Sequence, residues 1–211
     1  MRVSSRINRR GGTFAGSIRC CHAGIWVSCE HLVGKTMTKL AETKRASPLA
    51  TPTELSRAET SPVVACLNGL VADAFALYLK TKNFHWHMSG PHFRDFHLML
   101  DEQADQIFAT IDPLAERVRK IGGKTVRSVG HIGKLQSLKD DDREFVPPLE
   151  MLRELLDDNR RVASAMRKAH ELCDDNRDVA TASLLEIYLD ETERRVWFLF
   201  EASCPADSSG H

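Results

Sequence analysis

The feature that most constrains this chain is a helical repeat of apolar residues that fills almost all of residues 58–204. Four stretches, at about 61–87, 92–121, 147–173 and 178–203, carry an apolar side chain every third or fourth residue, and none alternates as a β-strand does. Breaks with glycine or proline separate the first three, at 89–91, 122–123 and 147–148. At ~1.5 Å per residue, each helix is about 40 Å long. The sequence therefore predicts an all-α protein, a four-helix bundle with a long connection between the second and third helices.

That connection, residues 124–146, has a mixed composition and predicts a short helix of its own at about 132–138. Two prolines bear on the neighbouring long helices. The pair Ser61-Pro62 is typical of a helix start, with proline in the first turn. Pro113 lies inside the second helix, where it removes a backbone hydrogen bond, so we expect a local kink there.

Residues 1–57 differ in charge from the rest of the chain. They hold ten Lys and Arg against three Asp and Glu, a net +7, whereas residues 58–211 are net −7. Their polar composition, with Pro48 and Pro52, predicts a flexible basic N-terminal extension over 1–57, followed by the bundle at 58–204 and a short tail at 205–211. Such an arm either contacts polyanions or is simply solvated. Composition favours Met37 as the true start, with an organelle transit peptide in 1–36 as the alternative.

Two further features bear on the compartment. No run of 18 apolar residues occurs, so we expect no membrane-spanning helix and no membrane partner. The six cysteines are scattered and include no C-x-x-C pair, which is typical of a reducing compartment. The sequence therefore predicts a cytoplasmic protein.

The chemistry concentrates in the stretch NFHWHMSGPHFRDFHLMLDEQADQIFATIDPLAERV. On the second helix, successive spacings of 4, 11 and 4 residues place four side chains within one sector about 100° wide. These residues are His97, Asp101, Asp112 and Glu116. Imidazole and carboxylate ligands together suit iron, manganese or zinc. The alternative interpretation is a solvated helix face, which is the usual environment of such residues taken singly.

One helix cannot bring these ligands to one ion, since Asp101 and Asp112 lie ~16 Å apart along it. An antiparallel copy of the same helix solves the problem, with a two-fold axis near residues 106 and 107. His97 then faces the partner's Glu116, and Asp101 faces the partner's Asp112, in the same register.

His85 completes this arrangement, because it lies six residues before Pro91 while His97 lies six residues after it. An antiparallel hairpin should bring the two rings together. We therefore predict two identical metal sites per dimer, with Asp105 as a residue that supports the ligands. Each site takes His85, His97 and Asp101 from one chain and Asp112 and Glu116 from its neighbour.

At these residues the sequence resembles the Dps proteins (DNA-binding proteins from starved cells), which are miniature ferritins. The resemblance covers about residues 55–204 and is most specific at N-F-H-W-H-x-x-G-P-x-F-x-x-x-H-x-x-x-D-E and the following D-x-L-A-E-R. The five ligand positions of the family match the five ligands predicted above. The resemblance implies a ferritin-like four-helix bundle that assembles into a hollow homododecamer with ferroxidase sites at its dimer interfaces. Such a protein oxidises Fe(II), preferentially with hydrogen peroxide, stores Fe(III) as a mineral and protects DNA from oxidative damage.

The resemblance also suggests roles outside the ligand set. Trp86, beside His85, resembles an aromatic residue near the family's site that intercepts stray oxidising equivalents, and packing at an interface is its alternative role. Three acidic residues between the third and fourth helices resemble the family's pore region, although a solvated turn has the same sequence. They are Asp174, Asp175 and Asp178.

Nonspecific DNA binding, with the nucleoid association it implies, would involve the basic residues that follow Met37. They are Lys39, Lys44 and Arg45. A nucleoid-compacting protein with weak or vestigial metal chemistry is therefore an alternative function. A conventional large ferritin is disfavoured, because the paired Glu-x-x-His motifs of a di-iron site inside one bundle are absent.

Overall fold

In the computed structural model of the protein, the structure describes residues 47–204, which form five helices and, within that range, no strand. The helices are α1 (Arg57–His87), α2 (Phe93–Lys120), α3 (Val129–Leu135), α4 (Pro148–Asp175) and α5 (Val179–Ser203). The all-α prediction is confirmed, and so is a short helix in the connection, although α3 begins earlier than residue 132. The predictions for the start at Met37, for the DNA-contacting residues and for the tail concern residues outside the described range.

α1 begins at Arg57, so the helix start predicted at Ser61-Pro62 is wrong. A capping box closes this end: the Ser56 hydroxyl accepts from the Glu59 N–H at 3.3 Å, and the Ser56 N–H donates to the Glu59 carboxylate at 2.7 Å. The Arg177 guanidinium also donates to this carboxylate, and the hydrogen bonds from Ser56 and Arg177 lower the pKa of Glu59 to about 2. Capping by Ser56 thus overrides the proline signal.

α2 is continuous through Pro113 and ends, as predicted, at a Gly-Gly pair. Gly122 has a φ of +83°, and the N–H groups of Gly122 and Gly123 donate to the Arg119 and Val118 carbonyls at 3.0 and 2.8 Å. A Cβ added at Gly123 would lie 2.4 Å from a methyl group of Val64. The end of α2 therefore lies close against α1.

The core forms around α1, which packs against α2, α3 and α4, while α5 packs mainly against α4 and also touches α2. Burying a large apolar side chain contributes roughly 1.5–3 kcal/mol, so the core fixes the helix arrangement. The largest fully buried side chains are Phe84, Leu67, Leu77, Leu100, Ile107, Leu114, Met151, Leu152, Leu155, Leu185, Leu199 and Val63.

α1 is apolar enough to meet the usual criteria for crossing a membrane by length and composition. One of its 18-residue windows has a mean hydropathy of 1.7, so composition alone does not exclude a spanning helix, and the absence of one stays a prediction. In the folded chain 44% of that window is buried. α1 acts here as the central helix of the bundle.

Asp73, in the middle of α1, is buried and anchors the connection between α3 and α4. Its carboxylate accepts hydrogen bonds from the Ser137 N–H at 2.5 Å, the Ser137 hydroxyl at 2.7 Å and the Leu138 N–H at 3.1 Å. Leu138 follows α3 and is buried in the core. One carboxylate therefore fixes the point where the connection meets the bundle.

We expect Asp73→Ala to lower the free energy of unfolding by about 2–4 kcal/mol, because it leaves the buried Leu138 N–H without an acceptor and removes the partly buried hydrogen bond of the Ser137 N–H. Asp142→Ala is the matched control: this side chain is exposed, and its removal should cost less than about 0.5 kcal/mol. Urea unfolding followed by far-UV circular dichroism measures both. Equal midpoints for the two variants would contradict the anchoring role.

Candidate metal centre

The predicted ligands of one chain lie where α1 and α2 form an antiparallel hairpin. The connecting turn contains Gly90, whose φ of +94° is a left-handed conformation that favours glycine. The Gly90 carbonyl accepts from the Phe93 N–H at 3.0 Å, where α2 begins. The turn brings the last turn of α1, which carries His85, against the first two turns of α2, which carry His97.

The two imidazole rings stack, with their centroids 3.7 Å apart and their planes at 20°. His85 Nδ1 donates to the His97 carbonyl at 2.8 Å, and His97 Nδ1 donates to the His85 carbonyl at 3.0 Å. Because a carbonyl oxygen only accepts, the proton of each neutral ring is on Nδ1 and the lone pair is on Nε2. The expected meeting of the two rings is confirmed, and both present the nitrogen that binds metals.

Asp101 lies one turn after His97, and its carboxylate is 3.8 Å from His85 Nε2. The Lys82 ammonium donates to the same carboxylate at 2.5 Å. This hydrogen bond, helped by the positive charge of Lys82, lowers the pKa of Asp101. The lowered pKa keeps the Asp101 carboxylate ionised, which is the form that binds metals. A metal cation that binds this carboxylate would compete with the Lys82 ammonium.

Asp112 and Glu116 are exposed on the other half of α2. Glu116 accepts from the Lys120 ammonium at 3.0 Å, one turn further along the helix. Each half-site therefore has a carboxylate paired with a lysine of its own chain. Within residues 47–204, no group of three or more His, Cys, Asp and Glu side chains is close enough to hold one metal ion.

Asp105 and Trp86 are placed differently with respect to the histidine pair. Asp105 is exposed on α2. The hydrogen bond to Asp101 is the main cause that raises the pKa of Lys82, and the negative charge of Asp105 adds a smaller contribution. Trp86 is 60% exposed and, with Leu79 and Val129, lines a groove between α1 and α3. In the single chain, therefore, the indole of Trp86 faces a groove that a partner could fill.

The three acidic residues predicted at a pore do not share one environment. Asp174 and Asp175 are exposed at the end of α4, and Asp174 lies 3.3 Å from His170 Nδ1. Asp178 is only 2% exposed. Its carboxylate caps α5 through the Thr181 N–H and forms an ion pair with Arg117 of α2. The pore prediction is therefore wrong for Asp178, whose charge ties α2 to α5.

Sequence reasoning missed two residues of this region. Lys82 precedes His85 by three residues, a helical spacing that could have drawn attention to it. Phe108 lies on the ligand-bearing sector of α2, between Asp101 and Asp112, and is 55% exposed with its ring 5.1 Å from that of Tyr78. An exposed aromatic side chain at the centre of that sector is a signal for self-association.

Two buried cations, Lys80 and Arg195, lie in the interior of the bundle, whereas a metal site inside one bundle would need a cluster of carboxylates there. The buried Lys80 ammonium pairs with Asp158 at 2.6 Å, and the buried Arg195 guanidinium donates to Asn159 at 2.9 Å. Neither pair resembles a di-iron site formed by four helices of one chain. This agrees with placing the candidate centre on the outer face of α1 and α2.

Comparison with known proteins identifies the class. The sequence profile of the ferritin-like domain matches residues 64–202. DNA protection during starvation protein 1 of Deinococcus radiodurans is 34% identical over 85 residues, which are 40% of this chain and 41% of that protein. An uncharacterised low-temperature-induced protein of a Nostoc species is 38% identical over 78 residues, 37% of this chain and 44% of that protein. The alignments thus span less than half the length of these relatives.

Solved structures match over more of the chain. Dps from Thermosynechococcus elongatus has a TM-score of 0.69 and 28% identity, covering 71% of this chain and 95% of that one. DpsC from Streptomyces coelicolor has a TM-score of 0.72 and 26% identity, covering 74% of this chain and 92% of that one. Sequence profile and fold together define a ferritin-like protein. Within that class, the chain belongs to the Dps family of miniature ferritins.

We expect Lys82→Met to raise the pKa of Asp101, because the variant removes the hydrogen bond and positive charge that favour the ionised carboxylate. Lys124→Met removes an exposed lysine elsewhere and should leave the Asp101 titration unchanged. Titration of ¹³C-labelled aspartate by NMR in metal-free buffer measures both. An Asp101 pKa that is the same in wild type and in Lys82→Met would contradict the assigned contact.

Proposed function

We propose that this protein is a ferroxidase that stores iron, using sites shared between paired chains. The observation that carries the proposal is the reciprocal hydrogen bonding of His85 and His97, which leaves two Nε2 lone pairs beside the ionised Asp101. Family membership supports iron as the substrate. A solvated helix face, by contrast, has no need of two histidine rings fixed in this tautomer.

The partner would supply the remaining ligands. In the antiparallel register of α2, the partner's Asp112 and the partner's Glu116 approach Asp101 and His97. Phe108 lies near the middle of this face, so pairing would also cover an exposed aromatic ring. The groove lined by Leu79, Trp86 and Val129 continues the apolar surface toward α3. A second copy of this chain therefore satisfies both the ligand set and the exposed apolar residues.

Two Fe(II) ions held by so few protein ligands keep open positions for the oxidant. Each Fe(II) gives one electron to hydrogen peroxide, the O–O bond breaks, and two hydroxides and two Fe(III) result. Anionic carboxylates favour Fe(III) over Fe(II), because they are hard oxygen ligands. Because one peroxide molecule receives both electrons at one site, no hydroxyl radical is released. In this scheme Trp86 packs at the interface beside the site, where it is also placed to intercept stray oxidising equivalents.

Storage follows if paired chains close into a hollow homododecamer, as the family resemblance implies. Lys82 and Lys120 would leave their carboxylates as Fe(II) enters, since one cation replaces another. Asp174 and Asp175, exposed at the end of α4, remain candidates for an acidic entry path that concentrates Fe(II). We propose a cytoplasmic location for this assembly.

We expect Asp101→Asn to slow Fe(II) oxidation by hydrogen peroxide at least tenfold, because the neutral amide binds iron weakly. Asp95→Asn is the matched control: it removes the same charge from an exposed position in the first turn of α2 and should retain the wild-type rate. Stopped-flow absorbance of Fe(III) formation, with native mass measured alongside, distinguishes the two. Wild-type oxidation by an intact Asp101→Asn particle would contradict the site.

Nucleoid compaction is a second candidate function, and one observation favours it. Between Glu116 and Asp140 the chain has seven Lys and Arg and no Asp or Glu. Four of these residues are exposed and form no ion pair within residues 47–204. They are Lys124, Arg127, Lys134 and Lys139. Several copies in one assembly would multiply a weak phosphate contact.

If the extension carries the DNA contacts, deletion of residues 1–46 should abolish the retardation of duplex DNA on a low-salt gel. If the exposed cations at 124–139 carry them, retardation survives this deletion and is lost in Arg127→Gln/Lys134→Gln. In either case we expect binding to fall steeply between 50 and about 200 mM salt, because counterions are released. Absence of retardation by the full-length particle at 50 mM salt would end the DNA-binding proposal and leave the ferroxidase proposal intact.

A further inference from the structure

Arg195, on α5, is a buried cation without an acidic partner in hydrogen-bonding contact. It is 3% exposed. Its Nε donates to Asn159 Oδ1 at 2.9 Å and its Nη2 to Thr192 Oγ1 at 2.7 Å. Its Nη1 is buried and has no partner within residues 47–204. A guanidinium this deep in a protein normally has a carboxylate as its counter-charge, so the free Nη1 requires an explanation.

Gln103, on α2, has the same deficit. It is 3% exposed, and its Nε2 is also buried without a hydrogen-bond partner among the described residues. Gln103 and Arg195 line one small cavity between α2 and α5. Each of the two nitrogens carries two N–H bonds, so the two residues that line this cavity hold four hydrogen-bond donors without a partner among the described residues. Leaving buried donors unsatisfied carries a desolvation penalty, so these groups require an acceptor.

We infer that Arg195 and Gln103 bind a small monoatomic anion, such as chloride, in this cavity. The site is separate from the candidate metal centre and does not depend on the proposed function. Its ligand accepts hydrogen bonds from Arg195 Nη1 and Gln103 Nε2 and supplies the counter-charge that the guanidinium lacks.

The size and polarity of the cavity select the ligand. Its volume is about 10 Å³, enough for one water-sized guest and too small for sulfate or phosphate. A water molecule accepts at most two hydrogen bonds and adds two donors of its own, whereas a halide ion only accepts. Burial lowers the pKa of Arg195 to about 10, with Glu191 opposing the shift, so the side chain stays cationic at neutral pH.

Other charges near the cavity do not replace the anion. Glu102 and Arg194 both line it, but both are exposed and carry opposite charges. Arg194 lies over the Phe198 ring, 5.1 Å from its centroid. Among the residues that the structure describes, the buried charge of Arg195 therefore remains without a counter-charge in hydrogen-bonding contact.

Crystals of the full-length protein soaked in sodium bromide test the site directly. We expect an anomalous bromine peak within hydrogen-bonding distance of both Arg195 Nη1 and Gln103 Nε2. A water molecule without an anomalous signal would overturn the inference. So would a reversed Gln103 amide whose Oε1 accepts from Arg195, since the cavity would then be satisfied from within.

A measurement in solution distinguishes a specific anion site from the alternative outcome, an adventitious ion only. Chloride should raise the melting temperature of the full-length particle by about 2–4 °C over gluconate at equal ionic strength. Gln103→Leu should abolish this difference, while Gln106→Leu, which alters a neighbouring residue of the same cavity, should keep it. Equal melting temperatures of the wild type in the two salts would mean that any bromide peak reflects soaking concentration, and the inference would fail.

Discussion

The ligand-bearing face of α2 imposes the constraint on which the rest of the molecule depends. Asp101 and Asp112 lie on one continuous helix, ~16 Å apart along its axis, and no side chain spans that distance. The protein can therefore use these carboxylates together only by placing α2 against a second α2. The hairpin with α1 then supplies the stacked pair of His85 and His97 at one end of each face.

In the single chain, both ends of the ligand-bearing face of α2 already carry a carboxylate that is paired with a lysine. Lys82 pairs with Asp101, and Lys120 pairs with Glu116, so in the single chain a lysine ammonium lies against each of these carboxylates. Both lysines have long flexible side chains and are able to leave without disturbing the core. The two histidines are fixed more firmly, because each ring is hydrogen-bonded to the backbone of the opposite helix. The backbone hydrogen bonds therefore fix the positions of the two histidine rings, whereas the lysines balance the charges of the carboxylates.

Much of this arrangement follows from the sequence, for identifiable reasons. The apolar periodicity predicted the four long helices. The equal sequence distance of His85 and His97 from Pro91 predicted that their two rings lie together. The start of α1 was wrong because the capping box of Ser56 and Glu59 outweighs the proline signal. Asp178 was assigned to a pore because a buried cap and a solvated turn look alike in sequence. Long-range partners such as Arg117 for Asp178, or Ser137 for Asp73, depend on packing that no local pattern encodes.

The central claim is that each site draws ligands from two chains, and co-assembly of two inactive variants tests it most directly. One variant is His97→Ala/Asp101→Ala, and the other is Asp112→Ala/Glu116→Ala. In a mixed dimer one of the two sites regains all five ligands, and random pairing makes half of the dimers mixed. Co-expressed particles should therefore oxidise Fe(II) at about a quarter of the wild-type rate, while each variant alone is inactive. Co-assembled particles that are as inactive as the separate variants would contradict a shared site.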